Sequence, residues 1–244
     1  FLIPHLILKL LTLILVVQAL AHIAKRLLST KKALILSSIA SGFVSSTAMI
    51  AHLGMQVRNG EADARSNAGA ALMSCISTLV LLFIVVGGVS LAWLKLLILP
   101  SLIAMAILAL CAYWLLRKAK PVEETEPEDS PMFSLKEAAI IAGLLTVIQA
   151  GVYGLELLLG DSGLIAGTLL ASLFEIHAAM AAVVVQGEPG NISLLYALIL
   201  GLAAHAISKS INAAISGGFK FALYFAPAQI LHMLVLIGIL WWSL

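Results

Sequence analysis

Two stretches of this sequence place chemically capable side chains in the middle of long apolar runs. Ser45-Ser46-Thr47 interrupts the run 33–56, and Glu175 and His177 interrupt the run 164–186. A carboxylate at membrane depth is costly to bury and marks function by default. Carboxylate oxygen with imidazole nitrogen suits a divalent metal of intermediate softness. Glu175 and His177 are therefore candidate metal ligands, and a bound divalent ion is the one cofactor to expect. The same pair can relay protons, because histidine titrates near neutral pH. Residues i and i+2 diverge on a regular helix, so their convergence requires an unwound chain. The competing reading is a buried Glu–His pair that only holds helices together. The three hydroxyls can coordinate a substrate or ion, or can simply let helices approach closely.

A third group lies on one helix face. His205, Ser208, Lys209 and Asn212 fall at i, i+3, i+4 and i+7, a polar stripe that belongs against protein or a cavity. Lys209 can pair with Glu175, attract an anionic group, or extend toward the interface. Gln229 and His232, three residues apart after Pro227, are weaker pathway candidates. His52 is weaker still, and His5 and His22 read as interfacial.

The elements that must position these residues are membrane helices. Of 244 residues 62% are hydrophobic and 11% charged, less than half the usual charged share. No soluble fold of this size buries so much apolar surface, so the lipid bilayer is the first partner. Eight apolar segments can be drawn, at 2–24, 33–56, 68–89, 97–117, 134–159, 164–186, 192–216 and 221–243. Each approaches the ~20 residues a spanning helix needs. A linker at 117–131 carries Pro121, Pro127 and Pro131 among five acids. After it, Ser134-Leu135-Lys136-Glu137 has the form of a capping box. Trp114, Trp241 and Trp242 sit near segment ends, as interfacial anchors do. The first residue is Phe1, so residues upstream are expected; the first run has the length of a span and no small-residue cleavage site. Cys75 and Cys111 lie in apolar segments and predict neither a disulfide framework nor a zinc site.

The linker separates two similar halves, 1–116 and 132–244. A shift of 131 residues brings Ala40-Ser41-x-Phe43 onto Ala171-Ser172-x-Phe174 and Ala48-Met49-x-Ala51 onto Ala179-Met180-x-Ala182. If all eight segments cross as a parallel 4+4 repeat, the loop Lys and Arg residues divide evenly between the two sides. That violates the positive-inside rule. If 33–56 and 164–186 are re-entrant hairpins, only Lys95 remains outside, while Lys25, Arg26, Lys31, Lys32, Arg58, Arg65, Arg117, Lys118, Lys120, Lys136 and Lys220 face inward. Each half then has three transmembrane helices and a re-entrant hairpin, and the odd number of crossings inverts the second half. The expected fold is an all-α polytopic membrane protein of two inverted repeats.

No Walker motif, Ser-His-Asp set or His-Glu-x-x-His run appears, so neither an enzyme nor an ATPase is expected. The Lys and Arg residues form no single face, and no nucleic-acid partner is expected. The stretch Ser41-Gly42-Phe43-Val44-Ser45-Ser46-Thr47-Ala48 after Lys31-Lys32 resembles a bacterial membrane domain of unknown function that is often joined C-terminal to an MgtC/SapB-type domain. Leu170–Ala182 resembles its later segment, with Glu175 and His177 standing where that family has two aspartates. The resemblance covers nearly the whole chain and implies an integral protein of a bacterial or archaeal plasma membrane. The imidazole at His177 argues against a site built only for hard cations. The expected function is a transporter of a divalent metal cation, coupled to protons. The alternatives are a carrier or channel for a small zwitterion or organic anion, and a non-transporting scaffold or regulator. A homo-oligomer fits any of them.

Overall fold

The computed structural model describes residues 33–117 and 150–242, with single positions at 8, 12, 16 and 147. The first apolar segment, the acidic linker, the Ser134 capping box and most of the fifth segment lie outside the described residues. So do His5 and His22. Every described element is helical: α1 (Ala33–Arg58), α2 (Ala64–Val89), α3 (Leu91–Arg117), α4 (Ala150–Leu159), α5 (Asp161–Phe174), α6 (Ile176–Val184) and α7 (Ile192–Trp242). Among them α2, α3 and α7 are long and apolar enough to cross a bilayer. Leu99, Leu102 and Leu110 on α3 and Ile211, Ile215 and Leu234 on α7 are exposed, as lipid-facing side chains are. This is an integral membrane protein.

α7 has 51 residues. Straight, it would measure about 75 Å, more than twice the ~30 Å hydrocarbon core. It is instead folded at Gly218, where φ is 74° and ψ −176°, a conformation essentially reserved for glycine. The Tyr196 and Trp241 rings consequently stand 5.9 Å apart, whereas on a straight helix they would be separated by some ~65 Å. α7 is thus two antiparallel helices, α7a (192–217) and α7b (219–242), close to the two segments read from the sequence.

α1 is broken at Ser45, whose φ of −162° and ψ of 103° are extended. α5 and α6 meet at Glu175, extended likewise at φ −147° and ψ 106°. A helix break exposes backbone N–H groups that lipid cannot satisfy, so each break carries its own cap. Ser45 Oγ accepts from Ala48 N at 3.2 Å, and Glu175 Oε2 accepts from Ala178 N at 2.6 Å.

Contacts show how the broken pieces run. Asp161 accepts from Ser193, and the carbonyls of Ser172 and Leu173 meet His205 and Ser208. α5 therefore runs parallel to α7a. Beyond Glu175 the direction reverses, since Met180 packs at Gly201 and Gly187 at Leu194. In the first half, Asn67 donates to the Leu53 carbonyl and Thr78 to Ser46, so 46–58 runs antiparallel to α2. Gly42 lies on Ser74, and the Ile39 carbonyl accepts from Ser77, so 39–42 also runs antiparallel to α2, and the register shifts back along α2 at the Ser45 break, where Ser46 meets Thr78.

Small residues permit these close approaches. A Cβ on Gly42 would sit 2.6 Å from the Ser74 carbonyl oxygen, and one on Gly54 would sit 2.8 Å from the Gly217 nitrogen.

Candidate functional site

The two breaks bring their polar residues to one buried place, with α2 between them. At the Glu175 break, His177 Nδ1 lies 2.6 Å from Glu175 Oε1, and its Nε2 lies 3.2 Å from the Thr78 carbonyl. A carbonyl only accepts, so this partner assigns the Nε2 hydrogen. The short Nδ1–Oε1 contact then holds one further proton between carboxylate and ring. The extended backbone at Glu175 is what allows i and i+2 to meet. Both nitrogens of His177 are engaged by protein, and Glu175 uses its second oxygen on Ala178.

At the Ser45 break, Ser46 Oγ accepts from Thr78 Oγ1 at 2.8 Å, and the Thr47 carbonyl accepts from Asn212 Nδ2 at 2.8 Å. Ser45 serves as a cap. The Glu175 break is thereby tied to α2 of the first half, and the Ser45 break to α2 of its own half and to α7a of the second.

Lys209 is the centre of the cluster. It is only 2% exposed, so it does not reach the interface. Its Nζ donates to Thr78 Oγ1 at 3.0 Å and approaches Cys75 Sγ at 3.8 Å. A salt bridge to Glu175, one of the readings open for Lys209, is not formed: among the described residues the one salt bridge is Glu175–His177. A small cavity borders Lys209, Cys75, Thr78, His205, Gln229 and His232. Its volume is about 10 Å³, on the order of one water molecule. His205 Nδ1 lies 3.0 Å from the Ser172 carbonyl and His232 Nδ1 lies 3.1 Å from the Ala228 carbonyl. Both rings therefore carry the hydrogen on Nδ1 and a lone pair on Nε2. His205 Nε2 and Gln229 Oε1 are buried without a partner.

Of the residues proposed from the sequence, Ser46, Glu175, His177, His205, Lys209, Gln229 and His232 belong to this buried cluster or its cavity. Ser208 and Asn212 instead brace the breaks by donating to Leu173 and Thr47. His52 is exposed. Thr78 and Cys75 were not singled out by sequence reasoning. The shift of 131 residues used in comparing the two halves would have set Thr78 against Lys209. No three His, Cys, Asp or Glu side chains converge as metal ligands among the described residues.

A family model described as "Domain of unknown function (DUF4010)" matches residues 12–219. The MgtC/SapB-type neighbour implied by the resemblance is not part of that match. No curated protein and no solved structure matches the chain.

Proposed function

The chain belongs to the DUF4010 family of unknown function, and from its own geometry we propose that it is a membrane transporter whose pathway runs between the two helix breaks. The observation that carries this reading is the buried polar cluster around Lys209. Two discontinuous helices, a buried ammonium, two imidazole lone pairs and a cavity meet there. Polar backbone at membrane depth is kept where it lines a cavity or is covered by protein, and discontinuous helices at a repeat interface are the usual construction of a carrier site.

We take the architecture to be two inverted repeats with re-entrant hairpins tipped at Ser45 and Glu175. The reversal after Glu175 supports this, as does the bond from Lys209 to Thr78. Those two residues are equivalent in the 131-residue register, so contact between them fits a pseudo-twofold axis passing nearby. Of the two substrate classes, a divalent cation and a small anion or zwitterion, the geometry favours the second. A cation would have to displace the Glu175–His177 contact and sit near an ammonium.

The test uses native Cys75, which lines the cavity, in a Cys111→Ser background. The full chain is reconstituted in liposomes of both orientations and treated with a membrane-impermeant thiosulfonate. A transporter exposes Cys75 to each side in turn. A Cys75 sealed from both sides under every condition supports the scaffold reading instead.

A further inference from the structure

Independently of the transport reading, we infer that Arg65 and the two rings that clamp it bind the phosphate of an anionic membrane lipid. The Arg65 guanidinium lies 5.2 Å from the centroid of the Trp114 ring and 5.4 Å from that of Tyr224. Three helices supply this clamp: α2 gives the cation, α3 and α7b the rings. An arginine that merely snorkels carries its head out to water; this one is drawn back between two rings. The ring faces attract the cation and fix its plane, but they leave its N–H edge without acceptors. Arg65 Nε is buried without a partner, and among the described residues none forms an ion pair with Arg65. The nearby acids are engaged elsewhere. Asp63 caps α2 by accepting from Ser66 N at 3.0 Å, and Glu61 accepts from Asn59 Nδ2 at 3.0 Å. A planar fork of N–H donors held in this way suits the paired oxygens of a phosphate.

The surroundings make that phosphate a lipid's. On α3, Leu110, Trp114 and Arg117 are all exposed and fall at i, i+4 and i+7, on one face. On α7b, Lys220, Tyr224 and Leu231 are exposed at i, i+4 and i+11, again on one face. Arg65 brings the last turns of α3 to the first turns of α7b. Both faces therefore read cation, ring, leucine from the helix end inward. The start of α2 and the hinge of α7 lie at this same end. A Cβ on Gly69 would sit 2.8 Å from Leu116, and Arg58 donates to the Ile215 carbonyl at 3.1 Å. A free phosphate or an acidic peptide uses only the cations. A lipid uses all three levels, with its phosphate on Arg65, its glycerol beside the rings and its chains along Leu110 and Leu231. Basic residues at helix ends attract anionic lipid, and aromatic rings belong at headgroup level.

The full chain in detergent is stripped of lipid and titrated with phosphatidylglycerol, phosphatidylcholine and inorganic phosphate. Native mass spectrometry counts bound lipid, and the thermal midpoint is followed in parallel. One basic residue near an anionic headgroup contributes about fivefold in affinity. With Arg65, Arg117 and Lys220 at this end, the first phosphatidylglycerol is expected to bind at least about tenfold more tightly than phosphatidylcholine. Arg65→Lys keeps the charge but loses the fork and the stacking. It is expected to fold and to lose about tenfold in phosphatidylglycerol affinity, the scale of one charge-assisted hydrogen bond. Lys95→Gln, at the other end of α3, is expected to leave that affinity unchanged. So is neutralising Glu123, Glu124, Glu126, Glu128 and Asp129 of the linker together. Equal binding of the two lipids overturns the inference, and so does an unaltered phosphatidylglycerol affinity in folded Arg65→Lys. A midpoint raised equally by inorganic phosphate makes the ligand a free anion. A gain of about tenfold on neutralising the linker makes its acids the occupant. Either result overturns the lipid assignment as well. If Arg65→Lys does not fold, Tyr224→Leu carries the test, since it removes one wall of the clamp and keeps the cation. It is expected to weaken phosphatidylglycerol binding, and an unchanged affinity overturns the inference.

Discussion

At the scale of single residues, Glu175 has two duties that can be separated. One oxygen caps α6 through Ala178, and the other meets His177. Gln keeps an acceptor for the cap and offers an N–H to the ring, whereas Ala removes both and leaves the Ala178 N–H unsatisfied. Glu175→Ala is expected to lower stability by about 1–3 kcal/mol, read as a lower thermal midpoint. Glu175→Gln should retain most of that stability while impairing transport. Equal midpoints for the two variants would show that the cap contributes little. Lys209→Met tests the converse. Replacing a buried charge by an apolar side chain of similar length is often neutral or stabilising, so a marked fall in midpoint would argue that Lys209 is structural.

At the scale of elements, the fold depends on two kinds of glycine. Gly218 is needed for its backbone, at φ 74°. Gly218→Ala is expected to cost about 1–3 kcal/mol and to loosen the pairing of α7a with α7b. The approach of Tyr196 to Trp241 reports that pairing, and tryptophan fluorescence follows it. Gly42 is needed for its missing side chain. Gly42→Leu would drive a side chain into the Ser74 backbone and separate α1 from α2. Gly238 has open space around its Cβ position, so Gly238→Ala serves as the tolerated control. Alanine and leucine both favour the helix over glycine, so a comparable loss in all three variants would mean that the close approach at Gly42 and the backbone at Gly218 do not set the cost.

At the scale of the molecule, the decisive question is topological. The contacts bring Asp161 and Gly187 to the same end of α7a, beside Ser193 and Leu194. Single cysteines at Ser162 and Glu188, in a cysteine-free background, are therefore expected to label from the same side of a sealed vesicle. Labelling from opposite sides would mean that α5 and α6 together cross the bilayer, and the inverted architecture would have to be abandoned.

Much of this was legible in the residues alone. Apolar content and segment length determined an all-helical membrane protein, because only lipid accommodates so much apolar surface. Polar residues inside apolar runs pointed to Glu175, His177 and Lys209, because such burial is costly. The turn near Gly218 fell between two segments already distinguished by length. Only the tertiary structure decided the partners. Sequence spacing orders residues along one helix face, but it carries no information about which helix lies opposite. Hence Lys209, which spacing allowed to pair with Glu175, bonds instead to Thr78 and Cys75, two residues 131 and 134 positions away. Hence also His177, a candidate metal ligand by type, has both nitrogens taken by a carboxylate and a backbone carbonyl. Side-chain type determined what chemistry was available, and packing decided which lone pairs and charges remain free to use it.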